Sequence, residues 1–386
     1  VRRYRILAAA VVMQLCLGAT YSWAVFVAPL KDLTGLGQGP VQAPFTLFYV
    51  AFPAMTILAG TLLTRLGPRR MAAMGGLLFG GGWLLAGLGD GRFLLTTLGV
   101  GLLGGVGVGF AYLVPIAICV LWFPRHKGLV TGIAVAGFGG GAALVARLSG
   151  LLMSRHGLDP FETLRWLGLA FLVLVPLAGS LMRRPDRAPD AEGRREPLRR
   201  VLAQPRFKLL YLAMFAGLTA GLAVNANLKE LVPEAGLPTG VAAVGWFALA
   251  NAAGRVAWGW LFDRVSARTA ITSNLLLQAA LMFGAPWLLD GPAGLGPFAF
   301  LAGFNYGGVL VVYASTTARC WGADRVGGIY GWLFSANIPA ALAPTAAGLA
   351  YDRWGSFTLP LGLIGGLLVL AAWLVLRRDE QLGQAP

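Results

Sequence analysis

An arginine inside an apolar run is the residue of this sequence that most demands a chemical explanation. Arg255 sits eight residues before Asp263 in the stretch Asn251-Ala-Ala-Gly254-Arg255-Val-Ala-Trp258-Gly259-Trp-Leu-Phe-Asp263. At the rise of a helix that is about 12 Å from the acidic end, too deep for easy snorkelling to the surface. A guanidinium at mid-membrane costs at least ~2.5 kcal/mol on insertion scales and needs a partner or a water-filled cavity. The usual partner would be an intramembrane carboxylate, yet all 16 Asp and Glu fall in loops, tails or the outermost turn of an apolar run. The sequence therefore offers a bound anionic substrate as the compensating charge; the alternative is a packing arginine satisfied by carbonyls and water.

Other side chains fit a pocket around such a charge. Tyr21, Tyr112 and Tyr306 fall near the middle of apolar runs, and Phe138, Asn251, Phe334 and Asn337 are further lining candidates. Tyrosine hydroxyls can donate to an anionic group while the rings contact a short carbon tail; burial at a helix contact is the competing reading for each. Asn225 and Asn227 are polar groups that would face a pore. Arg147 lies about five residues from the end of its run, within snorkelling reach, and reads as a vestibule residue.

Other chemistries are excluded or disfavoured. Cys16, Cys119 and Cys320 lie in or beside apolar segments with no CxxC, so neither a disulfide framework nor a zinc site is expected. His126 and His156 fall in short loops. Gly99-Val-Gly101-Leu-Leu-Gly104 fits GxGxxG, but it lies inside an apolar run with no preceding strand. Close helix packing explains it better, with Gly101, Gly105 and Gly109 on one face. No Ser/His/Asp arrangement or phosphate-binding loop is present, so no catalytic residue, metal or cofactor is expected, and an ATP-driven pump is disfavoured.

The elements that must position Arg255 are membrane spans. Hydrophobic residues make up 57% of the 386 and charged residues only 12%, far below the quarter charged that soluble domains carry. Runs long enough to cross a ~30 Å hydrocarbon core recur along the chain. Spans are expected near 6–28, 42–64, 71–89, 93–120, 129–152, 162–182, 206–231, 240–262, 270–290, 296–318, 328–350 and 358–376. The basic N-terminal start followed by a long run reads as the first span rather than a signal peptide. Arg183 to Gln204 is the only sustained polar segment and suits a mobile cytoplasmic linker. The expected domains are residues 1–182, the linker 183–205, and 206–386.

Charge sets an orientation. With both termini cytoplasmic, only Lys31, Arg92, Arg155, Arg165, Lys229 and Arg353 fall outside, and Arg147 and Arg255 fall within spans. The remaining Lys and Arg lie on the cytoplasmic side, as the positive-inside rule requires. The net charge of +15 is thereby explained by the bilayer, without nucleic acid. A multi-pass protein of the cell's inner (plasma) membrane is expected.

An internal repeat lies in the loops after the second and eighth spans. One copy reads Gly60-Thr-Leu-Leu-Thr64-Arg65-Leu-Gly67-Pro-Arg69-Arg70, the other Gly259-Trp-Leu-Phe-Asp263-Arg264-Val-Ser266-Ala-Arg268. Duplicated halves are how many transporters build a central site. The pattern G-x-x-x-D-R-x-G-x-R/K-R/K resembles the loop signature of the major facilitator superfamily, in which the acidic residue caps a neighbouring helix and helps latch one conformation. Thr64 stands where Asp is usual, which implies a weaker latch in the first half; Ser266 replaces Gly in the second.

Gln14-Leu-Cys-Leu-Gly18-Ala-Thr-Tyr21-Ser-Trp23, Trp122-Phe-Pro124-Arg-His-Lys-Gly128-Leu-Val-Thr-Gly132, Gly137-Phe-Gly139 and the Arg255 segment together resemble the oxalate/formate antiporter family, a relative of the monocarboxylate transporters. The resemblance implies an all-α integral membrane fold of twelve helices in two pseudo-symmetric six-helix bundles. It also implies that Arg255 binds a substrate carboxylate, two donors matching two oxygens. Oxalate transporters of this family carry a lysine where this chain has Asn337, and one central cation suits one carboxylate, since a dianion would leave a charge unpaired in low dielectric. Proton-coupled monocarboxylate transporters pair the arginine with an aspartate where this chain has Asn251. The expected function is secondary transport of small organic anions, monocarboxylates such as lactate, pyruvate or formate, by alternating access. Oxalate:formate exchange and proton symport are the alternatives, with a coupled proton or counter-anion as partner; a non-transporting sensor is a more distant one.

Overall fold

The computed structural model describes residues 2–185, 196–228, 230–232 and 236–377, and every regular element among them is helical. The expected linker residues 186–195, Lys229 and the tail 378–386 lie outside the described residues. The first half begins with α1 (Arg2–Leu17), a 3-10 turn (Gly18–Ser22), α2 (Ala24–Thr34), α3 (Gln38–Leu66) and α4 (Pro68–Ala86). It continues with α5 (Phe93–Thr96), a π-helical stretch (Thr97–Leu103), α6 (Gly104–Trp122), α7 (Lys127–His156) and α8 (Pro160–Ser180). The second half holds α9 (Leu198–Ala203), α10 (Pro205–Asn227), α11 (Gly236–Phe262), α12 (Ala267–Leu288), α13 (Pro292–Trp321), α14 (Val326–Phe334), α15 (Asn337–Ala340), α16 (Ala343–Trp354) and α17 (Thr358–Arg377).

Local chemistry explains the helix ends. Proline occupies the first turn of α4, α8, α10 and α13, where its missing N–H costs nothing. α8 opens with a reciprocal capping box, Glu162 N–H donating to Asp159 Oδ1 at 2.8 Å and Asp159 N–H to Glu162 Oε2 at 3.1 Å. α3 and α4 meet at Gly67, whose φ of 79° only glycine adopts without strain.

By length and composition, 10 helical stretches among the described residues can cross a membrane. α4, with 19 residues, and α11, with 27, fill the other two expected span positions. The span expected at 328–350 crosses in three helical pieces, interrupted around Ser335–Ala336 and Ala341–Leu342. Pro339 and Pro344 account for this, since a proline removes the N–H that would bond one turn back.

Contacts group the chain into two compact units. The first comprises Val1–Phe123, Ala134–Asp190 and Val326–Phe334; the second comprises Pro124–Ile133, Ala191–Arg325 and Ser335–Pro386. Each unit thus takes in one segment from the opposite half of the sequence. In the first, a Cβ on Gly60 of α3 would run into the Gly327 carbonyl of α14. The Gly101, Gly105 and Gly109 face packs on α3 against Leu47, Ala51 and Met55, so the GxGxxG run is indeed a packing surface.

One expectation is corrected. The end of the segment read as a mobile linker is docked on the second unit: α9 buries Val201, and Gln204 accepts from Trp321 Nε1 at 3.1 Å while donating to Glu196 Oε2 at 2.7 Å. Arg325 donates to the Glu196 carbonyl at 2.6 Å. Polar residues that suggested solvation here serve as partners for Trp321 and Arg325.

Candidate functional site

α11 carries Asn251, Arg255 and Gly259 at four-residue spacing, which puts them along one helix face, and Asp263 follows directly after its last residue, Phe262. Arg255 is only 3% exposed. Its Nε donates to Asn251 Oδ1 at 3.1 Å; guanidinium nitrogens only donate, so the amide must turn its oxygen toward it. Two glycines grip the same turn. A Cβ on Gly307 of α13 would lie 3.0 Å from Asn251 Oδ1 and 3.1 Å from Arg255 N, and one on Gly132 of α7 would collide with the Arg255 carbonyl. A guanidinium held at Nε, on a backbone clamped from two sides, is preorganised.

Tyr306 stands beside Gly307 on α13, half-buried. Its ring centroid is 5.9 Å from that of Phe247, and it lies over Gly221 of α10, where any Cβ would strike the ring. Asn337 begins α15, directly after the break in the span, and its carbonyl accepts from Ala341 N–H at 2.9 Å. Asn227 donates to the Ala223 carbonyl at 2.8 Å and reaches the Pro344 carbonyl at 3.5 Å, while Asn225 and Arg147 are exposed.

The first unit gathers four other expected residues into one aromatic cluster. The ring centroid of Tyr21 lies 5.1 Å from Phe138, Tyr112 lies 5.5 Å from Phe138 and 5.2 Å from Phe334, and all three contacts are tilted or edge-on. Sequence reasoning missed the wall that joins them. Tyr49 stacks on Tyr21 at 5.5 Å, and Phe52 sits 5.2 Å from both Tyr112 and Phe334. The signal was present: Phe45, Phe48, Tyr49 and Phe52 repeat at the spacing of one helix face.

The repeated loop motif behaves differently in its two copies. Asp263 accepts from the backbone N–H groups of Gly128 at 2.8 Å and Leu129 at 2.9 Å, an acidic cap on the start of α7. Gly259 faces Gly128 so closely that a Cβ on either would meet the other's carbonyl. In the first copy, the Thr64 hydroxyl donates to the Thr61 carbonyl of its own helix at 2.8 Å. Arg65 is exposed, and Arg69 Nε donates to the Ser180 carbonyl at 2.9 Å. In the second copy, Arg264 lies 3.7 Å over the Trp260 ring and Arg268 donates to the Leu376 carbonyl at 2.9 Å.

Among the described residues no group of three or more His, Cys, Asp or Glu could hold a metal ion, and the three cysteines are unbridged and buried.

Comparison with known proteins bears on the whole chain. A family profile described as Major Facilitator Superfamily matches residues 9–337. The oxalate:formate antiporter of Oxalobacter formigenes is 26% identical over 365 residues, covering 90% of this chain and 84% of that one. Monocarboxylate transporter 10 of Danio rerio is 28% identical over 343 residues, covering 81% of this chain and 65% of that protein. The solved structure of the E. coli fucose:proton symporter superposes with a TM-score of 0.73 at 15% identity, over 96% of this chain and 98% of that one.

Proposed function

The chain belongs to the Major Facilitator Superfamily, and from that membership we propose a carrier of small monocarboxylates in which Arg255 receives the carboxylate. It is a multi-pass membrane transporter, not an enzyme, and its relatives carry small carboxylates. The observation that supports the finer reading is the buried arginine itself, 3% exposed on a spanning helix and oriented by a neutral amide. A guanidinium in that setting favours an anion over the sugars carried by a structural relative. Tyr306 and Asn337 are proposed to complete the polar lining beside Arg255, and the first unit's aromatic cluster of Tyr21, Tyr112, Phe138 and Phe334 is proposed in its own right as a substrate-contacting surface.

A single carboxylate is preferred because Asn337 supplies an amide where a second cation would serve a dianion. The bound anion lowers the cost of a buried guanidinium, so loaded carriers close more readily than empty ones and exchange is favoured. The proposed setting is the plasma membrane with both termini cytoplasmic, residues 1–182 and 206–386 forming the two bundles of an alternating-access cycle.

The test is uptake of labelled lactate, formate and oxalate into proteoliposomes, with pH gradient and membrane potential imposed independently. Lactate or formate should be taken up in preference to oxalate, and faster into vesicles preloaded with unlabelled acid. Oxalate preferred over both would overturn the single-carboxylate reading. Uptake equally fast into empty vesicles would overturn exchange.

A further inference from the structure

The stretch of α13 that packs against the Arg255 turn is held a second time, by side-chain amides of α12. Asn274 Nδ2 donates to the Asn305 carbonyl at 2.9 Å, and Asn274 Oδ1 accepts from Gln278 Nε2 at 2.9 Å. Reversing the Asn274 amide would set oxygen against oxygen and nitrogen against nitrogen, so the relay has one direction. Asn274 is 0% exposed and Gln278 2%. They stand seven and eleven residues beyond Ala267, the first residue of α12, about 10 and 16 Å along the helix and so within hydrocarbon depth.

Packing alone does not call for amides there. Apolar side chains would fill similar space without the cost of burying polar groups, and the Asn305 carbonyl, inside α13, already has a helical N–H one turn on. What the relay adds is a directional tie, and its position shows what is tied. Asn305 lies two residues before Gly307, whose Cβ would press on Asn251 Oδ1 and Arg255 N, and three before Gly308. A Cβ on Gly308 would strike Trp258 of α11 and lie 2.8 Å from Asn274 Nδ2. Gly308 is therefore wedged between α12 and the turn of α11 that follows Arg255. Glycines let helices approach closely, but they have no side chain to fix how far one helix slides past another. A hydrogen bond to one particular carbonyl does.

We infer that Asn274 and Gln278 are positioning residues for anion binding. They hold α13 in the register at which Gly307 backs Asn251, and so keep the Asn251 oxygen on Arg255 Nε. Neither side chain is exposed to meet the anion itself. The role rests on the reading of Arg255 as the carboxylate site.

The test is the full chain carrying Asn274→Leu with Gln278→Met. Leucine keeps the branched heavy-atom skeleton of asparagine, and the pair leaves no buried amide without its partner, so this variant should unfold at a temperature near that of the wild type. Asn274→Ala with Gln278→Met replaces it should the leucine not fold. Without substrate, hydrogen exchange of the Asn305–Val309 amides should speed about three- to tenfold, the worth of one hydrogen bond, while amides of α8 exchange as before. In proteoliposomes the KM for lactate should rise by a similar factor, with the maximal rate changed less than about twofold. Added to Arg255→Lys, which has no Nε contact left to position, the amide substitutions should not raise KM further. Unchanged exchange at Asn305–Val309 would overturn the tie. Faster exchange with an unchanged KM would overturn the positioning role, as would a full further rise in KM on the Arg255→Lys background. Undiminished uptake by Arg255→Gln alone is a different failure, that of the carboxylate reading, and would remove the positioning role with it.

Discussion

At the scale of single residues the account turns on Arg255 and the amide that orients it. Arg255→Lys keeps the charge but loses the planar fork and the Nε contact to Asn251. It should raise the KM for lactate about tenfold or more, the value of one hydrogen bond to a charged group, with smaller change in the maximal rate. Asn251 is proposed to act through Arg255 rather than on substrate. Asn251→Asp retains an acceptor for Nε and so should fold, but its carboxylate competes with the anion for the guanidinium. Its uptake should be weak at neutral pH and recover as the medium is acidified and the introduced carboxyl protonates. Wild-type affinity of Asn251→Asp at neutral pH would contradict this role. Arg255 was legible in the sequence because depth can be counted from Asp263 along a helix. Its contact with Asn251 was not: the sequence supplied Asn251 as a pocket residue, and only the side-chain geometry shows it turned onto Nε.

At the scale of elements, glycine contacts fix the Arg255 turn. A Cβ on Gly307 would press on Asn251 and the Arg255 backbone, so Gly307→Ala should destabilise the protein by about 1–3 kcal/mol through overpacking, seen as a lower Tm. Gly366→Ala is the control. Nothing lies within 4 Å of its added Cβ, and the change should be neutral or slightly stabilising. The Asp263 cap is a second element-level device. Asp263→Ala removes both acceptors for Gly128 and Leu129 N–H and should speed hydrogen exchange of those two amides by about fivefold, the ~1 kcal/mol worth of an N-cap. Unchanged exchange would mean that the cap does not hold α7. Hydropathy and length made the spans legible, and the repeat marked Asp263. The interruptions in the span after α13 were signalled by Pro339 and Pro344 yet read as continuous, because apolar composition alone does not distinguish a broken span from an unbroken one. The π-helical stretch over Thr97–Leu103 has no comparable sequence mark.

At the scale of the whole molecule, two halves with a duplicated loop motif were visible in the sequence, and the chain has the fold of a transporter only 15% identical to it. The composition of the two compact units was not visible, since Pro124–Ile133 and Val326–Phe334 join units opposite to their own halves through contacts far apart in sequence. Those two segments carry close glycine approaches, Gly128 to Gly259 and Gly327 to Gly60, and only the first is reinforced by an acidic cap. The docked end of the linker shows the same limit, because polar residues that find partners look no different in sequence from polar residues facing water. The central claim remains that a carboxylate is bound by one buried arginine. Counterflow of labelled lactate into proteoliposomes preloaded with unlabelled lactate tests it most directly, comparing the wild type with Arg255→Gln, whose folding is checked by thermal unfolding. The account predicts that Arg255→Gln unfolds at a temperature near that of the wild type yet loses at least ~10-fold of the exchange rate at subsaturating lactate. Undiminished exchange by that variant would contradict it.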